Sequence, residues 1–201
     1  MAARGVLPVN ALAHMQTLYA RSDDPWGVDQ RWYERRKRAL LLASLPAERY
    51  GSAFEPACGT GRLTLELAAR CDRLLATDGA PAAVRIAQRA TQGCAGVEVA
   101  LQRLPHEWPA GPFDLVVLSE WLYYLEPALV RVAAARCVAS LAPGGTVVAC
   151  HYRPAFGDRA CATGFAHARL AEALQGLPPS VHHEEDDFLL DIWVARTEAA
   201  A

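Results

Sequence analysis

The sequence predicts an α/β fold: a mostly parallel sheet with helices on both faces, an antiparallel hairpin at one edge and helices ahead of it. Three observations predict it. From residue 50 onward, short apolar runs of strand length alternate with longer segments of helical period. Such alternation requires crossover helices, which bury a parallel sheet from both sides. The last two apolar runs are joined by a short charged stretch, which suits an antiparallel return.

The elements follow in order. VNALAHMQTLYA and DQRWYERRKRALLLASL carry apolar residues at three-to-four spacing and read as amphipathic helices. ARSDDPWG between them is turn-rich. SAFEP is a short strand that runs into a glycine-rich loop, and GRLTLELAARC after it is helical. DRLLATD is a strand ending in Asp78, APAAVRIAQRAT a helix and VEVALQRL a strand. FDLVVLSE reads as a buried strand. EPALVRVAAARCVASL is a helix with Pro127 in its first turn, and APGG ends it. GTVVACHYR is a strand, and GFAHARLAEALQGL a helix with a glycine near its C-terminus. VHHEEDDFLLDIWVAR supplies the closing pair, making seven strands. Residues 1–48 are expected to form a helical cap, and 49–198 the main unit.

The chain has 201 residues, 52% of them hydrophobic, enough for one domain with a sizeable core. A formal charge of -2 gives no electrostatic reason to expect nucleic acid or an acidic membrane as partner. No apolar run approaches the roughly 20 residues of a membrane span. The N-terminus lacks the apolar stretch of a signal peptide. The six cysteines show no CxxC pairing and mostly sit in apolar runs, so reduced thiols, a cytoplasmic setting and no metal site are expected.

The stretch FEPACGTG, residues 54–61, carries the chemistry. Ligands of open α/β sheets bind at the carboxyl ends of the strands, and a loop between the first strand and helix turns backbone N–H groups toward them. Gly59 and Gly61 are expected to let a ligand approach the backbone. Asp78 ends the second strand, where a carboxylate can accept both hydroxyls of an adenosine ribose. The loop lacks the spacing of the dinucleotide form GxGxxG. Glu55 lies where a pyrophosphate would, and its charge repels phosphate. The same charge welcomes the sulfonium or ammonium of S-adenosylmethionine.

These residues resemble the class I S-adenosylmethionine-dependent methyltransferases, whose fold is Rossmann-like. EPACGTG matches the family's first motif with Ala57 in place of its first glycine. LLATD, FDLVVLSEWLYYL and LAPGGTVVACHYR match later ones. More narrowly, DPWGVDQRWYERRKR, LLASLPAERYGSAFEPACGTGRLT and HYR are similar to the NodS-like group, named for a nodulation methyltransferase. That protein is understood to N-methylate a de-N-acetylated chitooligosaccharide. The resemblance implies small-molecule N-methylation, an amino sugar being one acceptor, with S-adenosyl-L-homocysteine as by-product and a place in oligosaccharide biosynthesis. It also implies roles by position. Ala57, Cys58, Gly59 and Gly61 would meet the methionine part, and Glu55 its charges. Asp78 would hold the ribose, with Gly79, Arg103 and Leu104 beside the adenine. Ser119 and Glu120 would flank the methyl group.

An amine must be neutral to attack, and at neutral pH it needs only a modest base. Glu120 is the first candidate and His151 the second, each near the carboxyl end of its strand. Tyr123 and Tyr124 can shape the site or favour a cationic product through their rings. Trp26 is placed to wall the cleft, and Arg36 or Lys37 to reach the methionine carboxylate. His167 faces core or cleft. His182 and His183 with the four acids after them are read as a solvated turn. YERRK matches the Tyr-xxx-Lys pair of short-chain dehydrogenases but lies upstream of the loop, on the wrong side of the sheet order. O-methylation, a nicotinamide oxidoreductase and a non-catalytic cofactor-binding regulator remain as alternatives.

Overall fold

Residues 9–195 are described by a computed structural model of the chain. Two helices come first, α1 (Val9–Arg21) and α2 (Trp32–Ser44). Strands and helices then alternate: β1 (Tyr50–Pro56), α3 (Arg62–Ala68), β2 (Cys71–Asp78), α4 (Pro81–Ala90) and β3 (Val97–Leu101). β4 (Phe113–Ser119), α5 (Pro127–Ala139), β5 (Leu141–Tyr152) and α6 (Thr163–Ala173) follow, and β6 (Val181–Glu184) and β7 (Phe188–Val194) close the chain. A single 3-10 turn, Leu122–Tyr124, lies between β4 and α5.

The seven strands form one sheet in the order β3-β2-β1-β4-β5-β7-β6. The first five run parallel, while β7 is antiparallel to both β5 and β6. The order reverses between β1 and β4, the switch point at which such sheets bind ligands.

Both faces of the sheet are buried, and the side-chain period shows it. In β4, Val116 and Leu118 pack into one core with Leu129, Ala133, Leu170 and Trp193. Leu115 and Val117, one residue out of step, pack into the other with Leu41, Leu67 and Phe188. β5 repeats the division, with Val147 and Ala149 on the first face and Val148 and Cys150 on the second. Strands buried on both faces read as continuous apolar runs, which is why FDLVVLS carries no alternation.

Several boundaries differ from the sequence reading. The helix over GRLTLELAARC stops at Ala68, because Cys71 already pairs with Tyr50 at the start of β2. The APGG segment belongs to the leading end of β5: Leu141 pairs with Phe113, and after an irregularity Thr146 pairs with Leu115. His182 and His183 lie in β6, opposite Asp191 and Leu190, so the charged turn is confined to residues 185–187.

Candidate active site

The carboxyl ends of β1, β2, β4 and β5 open into a cavity of about 750 Å³. The loop after β1 builds its floor. Ala57, Gly59 and Gly61 all take positive φ (55°, 56° and 74°) and fold the chain back on itself. The turn is pinned from β2: Cys58 N–H donates to Thr77 O at 2.9 Å and Gly59 N–H to Asp78 Oδ2 at 3.0 Å. A Cβ on Gly59 would stand 2.7 Å from the Tyr19 hydroxyl of α1, so the loop and the first helix meet here with no room for a side chain.

Ala57 is a strained residue in this turn, because an L side chain in the left-handed region costs on the order of 1–2 kcal/mol. Ala57→Gly is expected to raise unfolding stability by about 1 kcal/mol. Chemical denaturation of the two proteins measures it; equal stabilities would mean that the turn is unstrained.

Asp78 points its carboxylate into the same corner. Oδ2 accepts from Gly59 N–H and Oδ1 from Ala80 N–H at 2.8 Å. Burial pushes this carboxyl up, and the backbone donors at Ala80, Gly59 and Gly79 offset part of it. Three backbone donors leave the carboxylate acceptor capacity to spare. Beside it, Gln102 lines the cavity with its Oε1 buried and unpartnered, an acceptor waiting for a donor. Gly79 lies under α1, where a Cβ would stand 2.7 Å from Leu12 Cδ2.

Glu55 is 3% exposed and accepts one hydrogen bond, from Thr64 Oγ1 at 2.6 Å. Burial drives its carboxyl up to about 8, against which the Thr64 bond pulls and the nearby Asp78 pushes. In the free protein this carboxyl is therefore largely protonated at neutral pH, and a cation reaching it would favour the ionised form.

The other end of the cavity is built around Glu120, at the exit of β4. Glu120 itself has φ 52°. Its Oε1 accepts from Lys37 Nζ at 2.7 Å. Its Oε2 accepts from the Tyr152 N–H at 3.1 Å and from the Tyr123 hydroxyl in a short bond. Lys37, 3% exposed, also reaches Glu34 at 2.9 Å and lies 4.8 Å from the centre of the Tyr33 ring. Burial pulls its ammonium down, but Glu120 and Glu34 more than reverse this, so it stays charged. Rings wall the space. Tyr123 meets Tyr124 at 4.7 Å and Phe156 at 5.1 Å, and Tyr33 meets Tyr152 at 6.0 Å, all edge to face.

A family model described as a methyltransferase domain matches residues 53–145. Nodulation protein S of Rhizobium tropici is 35% identical over 129 residues, 63% of this chain and 54% of that protein. Its counterpart from Sinorhizobium fredii is 31% identical over 129 residues, 63% of this chain and 60% of that one. The matches thus span a little over half the length of these curated relatives. Among solved structures, a Pseudomonas syringae protein described as a methyltransferase is 45% identical, with a TM-score of 0.73 over 82% of this chain and 99% of that one. The N-methyltransferase NodS of Bradyrhizobium japonicum WM9, in complex with S-adenosyl-L-homocysteine, gives a TM-score of 0.81 at 28% identity, covering 92% of this chain and 98% of that one. This chain belongs to the class I S-adenosylmethionine-dependent methyltransferases.

The residues of this methyltransferase fit its cofactor. The Asp78 carboxylate suits a ribose hydroxyl, the orphaned Gln102 Oε1 suits the donor edge of an adenine, and buried Glu55 suits a cation. Most residues named from the sequence line the cavity: Trp26, Glu55, Ala57, Cys58, Gly59 and Asp78 at one end, Gly79, Arg103 and Leu104 beside them, and Ser119, Glu120, Tyr123 and Tyr124 at the other.

Three do not. Gly61 faces α4, where a Cβ would stand 2.7 Å from Ala87 Cα; it is a packing glycine between helices. Arg36 turns away to the hairpin and binds Glu185 through both terminal nitrogens at 2.6 and 2.7 Å. His151 is fully buried outside the cavity, bonded to Leu122 N–H and to His167.

Sequence reasoning missed Gln102, Tyr152 and Phe156, gave Tyr33 no part in the site, and gave Lys37 a different partner. One signal for two of them was present. Tyr33 and Lys37 are four apart in α2 and share a face. Gln102 follows β3 directly, a position whose neighbours had been named. Phe156 sits in a loop and carries no pattern at all.

Proposed function

We propose that this methyltransferase acts on the amine of a small molecule, an amino sugar or a de-N-acetylated oligosaccharide being the fitting class. The observation that carries the reading is the Glu120 carboxylate at the end of a cavity walled by Tyr33, Tyr123, Tyr124, Tyr152 and Phe156. Aromatic faces and a carboxylate together suit an ammonium group and its methylated product. The rings also offer flat apolar faces on which a sugar can lie. The name of the neighbouring NodS structure, an N-methyltransferase, points the same way.

S-adenosylmethionine supplies an activated methyl group, so that a nitrogen–carbon bond forms as the sulfur–carbon bond breaks and a neutral thioether remains. The protein's tasks are orientation, desolvation and removal of one proton. We assign the ribose to Asp78, the adenine edge to Gln102, Arg103, Leu104 and Gly79, and the methionine charges to Glu55 and the loop at 57–59. Helix α1 covers this end through Leu12, Met15 and Tyr19. Glu120 orients the acceptor and takes its proton. Its oxygens already accept from three donors, which suits the small assist an amine needs. A hydroxyl acceptor would demand a stronger base, and His151 is not at hand to be one. The six cysteines are unpaired, which fits a reducing compartment, and we place the protein in the cytoplasm. Among the described residues, no helix is long and apolar enough to cross a membrane.

Titration calorimetry with S-adenosylhomocysteine and with NADH tests the cofactor half of the reading. Binding of the first and not the second is expected; the reverse would point to an oxidoreductase.

Glu55 adds a pH signature. Its folded carboxyl titrates near 8, against an ordinary value near 4.5, so the folded state holds a proton that the unfolded state loses. The resulting stability is fully present below about pH 4.5 and is lost as pH rises through about 8. Thermal stability of the free protein is expected to fall between about pH 5 and 8.5, and Glu55→Gln to flatten that fall. A variant that follows the wild-type curve would remove Glu55 as the cause.

A further inference from the structure

Four polar side chains that the proposed chemistry does not use form one connected line. His151 of β5, His167 of α6 and Asp191 of β7 are 0, 4 and 5% exposed. Leu122 N–H donates to His151 Nε2 at 3.2 Å. That bond settles every other proton. An accepting Nε2 is bare, so the neutral ring carries its hydrogen on Nδ1. His151 Nδ1 then donates to His167 Nε2 at 3.0 Å, which places the hydrogen of His167 on its own Nδ1. His167 Nδ1 donates to Asp191 Oδ2 at 2.6 Å, and Asp191 Oδ1 accepts from Nδ1 of the exposed His182 at 2.6 Å.

Burial, with His167 as neighbour and Lys37 and Arg159 nearby, lowers His151 well below the usual range and keeps it neutral. Burial raises Asp191, but the bonds from His167 and His182 outweigh it and hold the carboxylate. At the outer end His182 Nε2 lies 3.6 Å from Glu184 Oε2.

The inner end of the line meets the site. Leu122 begins the 3-10 turn that carries Tyr123 and Tyr124. Cys150, just before His151, accepts the backbone N–H of Glu120 at 2.9 Å. Tyr152, just after it, donates to the Glu120 side chain at 3.1 Å. His151 therefore sits between the two backbone groups that hold Glu120, and its ring holds the residue two further on. Glu120 is in the left-handed region, a conformation that persists only where its surroundings over-determine it. Packed hydrocarbon could replace a buried polar line at little cost in stability. It could not aim a single acceptor at one N–H.

We propose that His151, His167, Asp191 and His182 form a positioning relay that sets the Glu120–Tyr124 turn, and with it the acceptor end of the cavity, from outside that cavity. None of the four touches a reactant. The proposal rests on the reading above only in taking the Glu120 end as the acceptor end.

Nitrogen-15 spectra of the histidine-labelled full chain test it. His151 and His167 are both expected as neutral Nδ1–H tautomers, with a scalar coupling across the Leu122 N–H···Nε2 bond. In Asp191→Asn, the Leu122 and Tyr123 amides and the Glu120 side-chain carboxyl carbon are expected to shift. The Gly59 and Gly79 amides stay, and S-adenosylhomocysteine affinity changes by less than two-fold. His182→Ala removes only the exposed donor and is expected to move the same resonances by less. An Nε2–H tautomer at either buried ring, or changes in both variants that stop at α6, would overturn the relay. A wild-type chain that fails to bind S-adenosylhomocysteine would sink the methyl-transfer reading instead and leave the tautomer result standing.

Discussion

Asp78→Ala is expected to weaken S-adenosylhomocysteine binding at least about ten-fold. The substitution removes a cavity-lining carboxylate with acceptor capacity to spare, and hydrogen bonds to a charged group contribute about 1.5–3 kcal/mol. It also frees the N–H groups of Gly59 and Ala80, which Asp78 now holds at 3.0 and 2.8 Å. The loop would then lose its tie to β2 at the point where it turns. Asp78→Asn separates the two effects. Its amide oxygen can keep one backbone bond while the charge is gone, so a smaller loss is expected. Calorimetry on both variants reads the difference, and an unchanged dissociation constant in Asp78→Ala would withdraw the ribose from this residue.

Glu120→Gln is expected to lower turnover about a hundred-fold or more, the usual scale for losing a positioned base, while S-adenosylhomocysteine affinity stays within about two-fold. The split matters because Glu120 is held by Lys37, Tyr123 and the Tyr152 backbone, none of which belongs to the loop at 57–59. Lys37 keeps Glu34 as a partner in the variant, at 2.9 Å, so the buried ammonium is not stranded and the fold should survive. An equal loss of turnover and cofactor affinity, or no loss in either, would remove Glu120 as the residue that takes the proton.

The two ends of the cavity were unequally legible in the sequence. The end around the loop at 57–61 is shaped largely by backbone, and backbone needs leave marks. Positive φ at 59 and 61 demanded glycine, and a carboxylate at the end of β2 has one direction in which to point. Even there the roles of the two glycines differ. The sequence shows that both are glycines, but only the packing against α4 shows that Gly61 makes room for Ala87. Ala57 is the reverse case, a residue that takes a glycine's conformation without being one.

The end around Glu120 is made of side chains from α2, the turn after β4, the end of β5 and the loop at Phe156, brought together by the sheet order. No local pattern records such a meeting. Arg36 and Lys37 are adjacent, yet one faces Glu185 on the hairpin and the other Glu120 in the cavity, because neighbours on a helix point about 100° apart. His151 was rightly placed near the end of its strand, but strand residues alternate faces. Tyr152 reached the cavity and His151 the core. The contact that ties it to His167 and Asp191 spans three elements and appears only once β7 has been laid against β5.

Methyl transfer from S-adenosylmethionine to an amine can be read directly. The most direct measurement is mass-spectrometric readout of label transferred from methyl-labelled S-adenosylmethionine to paired acceptors: glucosamine and its short oligomers, against the same sugars with the amine acetylated. S-adenosylhomocysteine release and label on nitrogen are expected with the free amines, and background with the acetylated ones. Label on a hydroxyl oxygen, transferred equally well to both members of each pair, would contradict it.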